Sequence, residues 1–181
     1  MTVSRKNRSG FTLIELLVVI TIIAILAGIL VPTIASAIKR AEIADARSKM
    51  MAIRTAVESY QTTYGKLPFF NQSDHGSNVS DRNPTFGLND SRKENLVRVL
   101  IADHLGAANP RGIVFLSADQ TTAGAILLDP WDNEYDIWID SDYNDITLVN
   151  GQDVRQSVVL RSLGPDAERG TSDDVYTADL E

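Results

Sequence analysis

The chain has 181 residues, of which 44% are hydrophobic, and these values suit one modest folded domain together with an apolar segment. Its formal net charge of -7 disfavours binding to nucleic acid or to anionic lipid headgroups, and it suits divalent cations or basic partners. The absence of cysteine excludes disulfides and thiolate metal sites.

A long apolar block begins directly after ten residues that carry three basic side chains and no acid. It runs from Phe11 to Ile38 with Glu15 as its one charged residue, and it exceeds the roughly 20 residues that a helix needs to cross a bilayer. The helix of a soluble core would not be apolar on every face. The block therefore predicts a transmembrane helix over 11–38, with a cytoplasmic N-terminus because basic residues precede it.

Two other interpretations of this block are open. A secretory signal peptide would be cut after its apolar region, and 35–37 offers a weak site of small residues. A plain single-pass anchor accounts for everything except Glu15, since a carboxylate in hydrocarbon costs about 2.5–3.5 kcal/mol. No Lys or Arg lies within the block. A free α-amino group on Phe11 would be a suitable partner, either within one chain, because residues four apart share a helix face, or from a neighbouring chain.

Beyond Ile38 the helical pattern continues but becomes amphipathic. Apolar residues recur at steps of three and four, at Ile43, Ala46, Met50, Ile53, Val57, Tyr60 and Tyr64. Gly65 is typical of the residue that follows a helix end, and Pro68 comes shortly after it. The sequence thus predicts one helix over 11–64, from about Thr12 to Tyr64, whose second half packs on a domain formed by 65–181.

The remaining segments predict a small mixed domain. We expect a loop over 71–89. A short helix should follow from about Lys93 to Leu105, and a capping box formed by Ser91 and Glu94 should mark its start. Patterns typical of strands follow at 113–116, 135–140, 145–149 and 157–163, with Tyr135, Ile137 and Ile139 on one face of the second. The acidic segment 140–145 lacks the Gly and Glu of an EF-hand loop and predicts a hairpin turn, with weak cation binding as an open alternative. A long helix against a small antiparallel sheet is an α+β fold.

The residues around the start of the apolar block, Ser9-Gly10-Phe11-Thr12-Leu13-Ile14-Glu15-Leu16, resemble the processing signature of type IV pilins and pseudopilins. This resemblance implies a pilin-like fold and a leader peptide over 1–10, which a prepilin peptidase removes after Gly10. It also implies that Phe11 becomes the methylated mature N-terminus. Glu15 would then engage the Phe11 amine of an adjacent subunit.

Two later segments resemble the major, G-type pseudopilin of type II secretion. The segment 129–135 is similar to its Asp-Pro-Trp-Gly-Asn-Pro-Tyr turn, with Asp132 and Glu134 in place of Gly and Pro, and we expect Trp131 and Tyr135 in the core. The segment 163–175 is similar to its calcium loop. Composition alone favours a solvated acidic loop there. The resemblance instead implies a calcium site formed by the side chains of Asp166, Asp173 and Asp174 and the carbonyls of Leu163 and Thr171.

The resemblance implies a structural filament subunit rather than an enzyme, and the two histidines, His75 and His104, lie in unrelated settings without a catalytic motif. Such a subunit would span the bacterial inner membrane once, with its C-terminal domain in the periplasm. It would polymerise with copies of itself and with minor pseudopilins, driven by an inner-membrane assembly platform and its ATPase. Two alternatives stay open. One is a type IV pilin or minor pilin for adhesion, motility or DNA uptake. The other is a membrane-anchored calcium-binding module that does not polymerise.

Overall fold

The computed structural model describes residues 11–68, 88, 90–103, 108–117, 121, 126–140, 143 and 145–178. These residues form two helices and five short strands, and the predicted α+β fold is confirmed. The loop predicted over 71–89 lies outside the described residues, except for Leu88.

Helix α1 spans Leu13–Tyr64, as predicted, and the chain divides within it into two compact units, between Ala41 and Glu42. In the first unit every Leu, Ile and Val side chain from Leu13 to Ile38 is exposed. This part of α1 is long and apolar enough to cross a membrane, and it is the one such helix among the described residues.

In the second unit α1 buries a continuous stripe, formed by Ala46, Met50, Ile53, Ala56, Val57 and Tyr60. The predicted amphipathic face is therefore confirmed, because apolar side chains three and four apart share one side of the helix. The Tyr60 hydroxyl donates a hydrogen bond to the Ala108 carbonyl, and burial raises the pKa of Tyr60 to about 12. The helix ends where Gly65, at a φ of 68°, donates its N–H to the Gln61 carbonyl.

Strands β1 (Asp136–Ile139), β4 (Val158–Ser162) and β5 (Val175–Tyr176) form an antiparallel sheet in the order β1-β4-β5. Strands β2 (Thr147–Val149) and β3 (Gln152–Val154) form a separate hairpin. On β1 the predicted alternation is confirmed, since Ile137 and Ile139 join the main core while Trp138 packs in a second cluster with Val149, Val159 and Ala178. The three-stranded sheet thus has apolar residues on both faces.

Helix α2 spans Asp90–Leu100, so the predicted bounds of Lys93 and Leu105 were wrong at both ends. Ser91 lies inside the helix rather than in front of it, which contradicts the predicted capping box. The helix ends early because Ala102 takes a φ of 60° and Asp103 donates its N–H to the Arg98 carbonyl. This is a Schellman-type end without the glycine that usually marks one.

Two other predictions about this domain were wrong. The segment 113–116 is not a strand, because Phe115 and Leu116 both donate their N–H groups to the Leu100 carbonyl at the end of α2. The strands on either side of 140–145 do not form the predicted hairpin, since β1 and β2 belong to different sheets. Residues 141, 142 and 144 lie outside the described part of the chain. Strands β3 and β5 were not predicted.

Candidate functional sites: the start of helix α1 and the C-terminal loop

The first predicted site is the start of α1, where Glu15 lies in the first turn of the helix. Its Oε2 accepts hydrogen bonds from the Thr12 N–H at 2.8 Å and from the Thr12 hydroxyl at 2.6 Å. The Glu15 N–H donates in return to the Thr12 hydroxyl oxygen at 3.3 Å. These reciprocal bonds form a capping box, which fixes where the helix begins.

Sequence reasoning named Phe11 and Glu15 but missed Thr12. The signal was present, because Thr-x-x-Glu in front of an apolar run is the pattern of a capping box. Phe11 is largely exposed and lies just outside the helix, while Gly10 is outside the described residues. Only a chain cut after Gly10 has an amine at Phe11 that could compete with Thr12 for the Glu15 carboxylate.

The turn over 129–135 is organised by one buried carboxylate, that of Asp129. Its Oδ1 accepts the N–H groups of Trp131 at 2.9 Å and Asn133 at 2.8 Å, and its Oδ2 accepts the Ser162 hydroxyl at 2.6 Å. Asp132 takes a φ of 65°, so the turn keeps a conformation that favours glycine although an aspartate occupies the position.

The two aromatic residues of this turn have different environments. Tyr135 is buried in the main core, as expected. Trp131 is only half-buried, so its predicted place in the core was wrong. Its indole Nε1 donates to the Glu42 carboxylate on α1 at 3.1 Å, and an indole in the core would have lost this acceptor. Through this hydrogen bond the turn before β1 contacts α1 directly.

The second predicted site is the loop 163–175, which connects β4 to β5. Gly164 is essential to its closure, because a Cβ there would lie 2.7 Å from both the carbonyl oxygen and Oδ2 of Asp173, and its φ is 69°. Asn133 of the preceding turn donates its side-chain N–H to the Gly164 carbonyl at 2.8 Å. The two segments that resemble the G-type pseudopilin are therefore in direct contact.

Asp166 and Asp173 meet on one side of this loop. The Asp166 N–H lies 3.4 Å from Asp173 Oδ2, and Asp166 Oδ1 accepts the Glu168 N–H at 2.9 Å. The Thr171 hydroxyl donates to Asp173 Oδ1 at 2.7 Å, and this bond lowers the pKa of Asp173 below its ordinary value. Because the pKa is lowered on folding, the Asp173 bonds contribute their full stability above the carboxyl's ordinary pKa, and this contribution is lost as the pH falls from there through the lowered pKa.

Asp174 points to a different set of partners. Its Oδ2 accepts the Gly170 N–H at 2.8 Å and the Tyr176 hydroxyl at 3.3 Å, and it lies 3.7 Å from Arg161 Nη1. Its Oδ1 is buried and has no hydrogen-bond partner among the residues that the structure describes. A buried carboxylate oxygen without a donor is costly, so this atom fits a cation as its missing partner.

The described conformation does not gather the three carboxylates around one point. Among the residues that the structure describes, no three His, Cys, Asp or Glu side chains are arranged to hold a metal ion. The Thr171 carbonyl accepts the Asp174 N–H at 3.4 Å. The fit to calcium therefore rests on the buried Oδ1 of Asp174 and on the readily ionised Asp173, and the ion would compete with the hydrogen bonds given above.

Comparison with known proteins bears on the start of α1 and on the chain as a whole. Residues 5–31 match the model of the prokaryotic N-terminal methylation motif. The chain is 29% identical to type II secretion system core protein G of Escherichia coli K12 over 97% of this chain and 93% of that protein. It is 25% identical to the core protein G of Aeromonas hydrophila over 94% of this chain and 92% of that protein.

Similarity to surface pilins is confined to shorter segments. The chain is 64% identical to the type IV wide pilus major component PilA4 of Thermus thermophilus, over 20% of this chain and 28% of that protein. No solved structure matches the chain. The resemblance inferred from the sequence is thus confirmed: this chain carries the methylation motif of the type IV pilin-like proteins and is homologous to type II secretion system core protein G over most of its length.

Proposed function

We propose that the chain is a structural filament subunit, a pseudopilin of a type II secretion-like system, and not an enzyme. The observation that carries this proposal is the combination of a methylation motif at 5–31 with similarity to core protein G along almost the whole chain. The exposed apolar part of α1 supports it, because such a surface needs lipid or other helices around it.

In this proposal the precursor enters the inner membrane once, with residues 1–10 in the cytoplasm and the domain 65–181 in the periplasm. A prepilin peptidase cuts between Gly10 and Phe11, and Phe11 is methylated. The new ammonium lies close to the Glu15 carboxylate of its own or an adjacent chain, and pairing them removes two uncompensated charges from an apolar environment. Helix segments 11–38 of successive subunits then bury one another.

The partners follow from this role. They are other copies of the chain, minor pseudopilins, the prepilin peptidase, and an inner-membrane assembly platform with its ATPase, and nucleic acid is not among them. The filament is a short periplasmic one that serves protein secretion. A surface pilin is the second candidate, but similarity to pilins covers a fifth of the chain for PilA4 and half of it for the fimbrial protein EcpB of Eikenella corrodens, whereas similarity to the Escherichia coli core protein G covers nearly all of it.

Mass spectrometry of the chain from its native membrane tests the processing that this function requires. We expect a mature protein that begins at Phe11 and carries one methyl group on its α-amine. The matched control is Gly10→Val, which should retain residues 1–10 while still entering the membrane. A wild-type chain that begins at Met1, or one that is cut near 35–37, would contradict the proposal.

We also propose that calcium binds the loop 163–175, held by the carboxylates of Asp166, Asp173 and Asp174 and the carbonyls of Leu163 and Thr171. The orphaned Oδ1 of Asp174 supports this proposal, as does the lowered pKa of Asp173, since calcium prefers ionised oxygen ligands. When bound, the ion would neutralise carboxylates that otherwise repel one another.

Thermal unfolding of the full chain in detergent, with calcium or with EDTA, tests this site. Calcium at about 100 times its Kd adds about 2.7 kcal/mol of stability, and we expect a rise in Tm of roughly 5 °C or more. Asp173→Asn should abolish the rise, whereas the same change at exposed Asp153 on β3 should leave it intact. Equal Tm values in calcium and in EDTA would rule the site out.

A further inference from the structure

A guanidinium group is buried directly beneath the C-terminal loop. Arg161 on β4 is 1% exposed, and its Nη2 and Nε contact Asp136 Oδ2 on β1 at 2.5 Å and 3.1 Å. Its Cζ lies 5.1 Å from the ring centre of Trp138 and 5.7 Å from that of Tyr176. Burial opposes the charged form, but the bonds to Asp136 and Tyr176 outweigh it, and the pKa of Arg161 is raised.

The loop reaches this buried pair at two places. Near the middle of the loop, Arg169 donates from Nε to Asp136 Oδ2 at 3.1 Å and from Nη2 to Asp136 Oδ1 at 3.2 Å. At the far end, Asp174 lies 3.7 Å from Arg161 Nη1, and the Tyr176 hydroxyl bridges the two at 3.2 Å and 3.3 Å. Two strands of the sheet are therefore connected to the loop by charge-assisted hydrogen bonds.

The charges of this network cancel. Two arginines face two carboxylates, and the side chains of Asp136, Asp174 and Arg161 are almost completely buried. A lone buried carboxylate would be expensive, and a metal ion would be the obvious remedy. Here Arg161, on the central strand of the three-stranded sheet, supplies a cation beside Asp174 Oδ2, whereas Asp174 Oδ1 keeps no partner among the described residues.

We propose that Arg161 and Arg169 close the C-terminal loop onto the sheet through Asp136 and Asp174 without a metal ion. Calcium at the loop is then an added source of stability and is not the condition for closure. The loop then stays closed on the sheet whether or not calcium binds.

Hydrogen exchange of the full chain in detergent with EDTA tests this inference. The reporting peptides cover 163–175, where the Gly170 N–H is bonded to Asp174 and the Asp174 N–H to Thr171. Arg169 is half-exposed, so Arg169→Gln leaves the domain folded and removes two charge-assisted bonds. We expect loop exchange about tenfold faster than in the wild type.

The matched control is Arg155→Gln, an exposed arginine just after β3 that makes no ion pair with the described residues. It should leave loop exchange unchanged. Peptides from β2 and β3 should exchange equally in all three proteins, which separates loop opening from a general loss of stability. Wild-type loop exchange in EDTA as fast as in Arg169→Gln would overturn the inference, whereas equal Tm values in calcium and EDTA would overturn only the calcium site.

Discussion

Replacing Glu15 with alanine is expected to abolish assembly of the chain into filaments while leaving its insertion into the membrane intact. The mature Phe11 ammonium would then enter an apolar helix bundle without a counter-charge, at a cost of about 2.5–3.5 kcal/mol. A penalty of this size lowers the assembled fraction roughly 100-fold at each subunit addition. The measurement is the amount of chain in sheared filaments relative to the membrane fraction.

Two controls separate the charge from other effects of this change. Asp45→Ala removes an exposed carboxylate from the second half of α1 and should assemble normally, because the ion pair of Asp45 with Lys49 lies at the surface. Glu15→Gln can still accept the Thr12 hydrogen bonds but lacks the charge, so it should fail like alanine. Normal filaments from Glu15→Ala would contradict the filament role and would favour a membrane-anchored module that does not polymerise.

Replacing Arg161 with methionine is expected to lower the free energy of unfolding by about 3–5 kcal/mol, which is the usual cost of removing one partner from a buried ion pair. Among the described residues, Asp136 would keep only the half-exposed Arg169 as a cationic partner, and Asp174 would lose its nearest cation. Since small domains are stable by about 5–15 kcal/mol, this is a large fraction of the total. Urea unfolding of the full chain in detergent, followed by tryptophan fluorescence, measures it.

The fluorescence of Trp138 reports on the Arg161 site as well as on unfolding of the whole domain, because the Trp138 ring lies against the Arg161 guanidinium. Arg155→Met is the matched control and should change the free energy of unfolding by no more than about 0.5 kcal/mol, as is usual for surface positions. If Arg161→Met and Arg155→Met unfold at the same urea concentration, the buried network does not stabilise the domain.

The features that sequence alone predicted well are those with strong local periodicity. Helix α1 is predicted by an apolar block followed by apolar residues spaced three and four positions apart. The alternation on β1 is predicted by Ile137 and Ile139. The end of α2 could not be predicted in the same way, because Ala102 adopts a left-handed conformation for which alanine gives no signal. Strand β5 has two residues, too few for any pattern.

Among the candidate sites, too, those formed by residues close together in the sequence were predicted, and those formed by distant residues were not. Phe11 and Glu15 were identified because their spacing is local, and Thr12 could have been found by the same rule. The Arg161 network could not, since its partners Asp136 and Asp174 meet only through the register of three strands. In the sequence, Arg161 is one basic residue in a short apolar strand, and nothing near it in the chain indicates that it is buried.

The contact between the Asp129 turn and the end of β4 has a consequence for how such chains diverge. Asp129 Oδ2 is the acceptor of the buried Ser162 hydroxyl, and Asn133 holds the Gly164 carbonyl. A substitution that removes the Asp129 carboxylate leaves the buried hydroxyl without its acceptor, at a cost of about 1–3 kcal/mol. That cost persists until a second substitution replaces the hydroxyl or supplies another acceptor. Drift at these distant positions is thereby coupled, and each segment limits the substitutions that natural selection tolerates in the other.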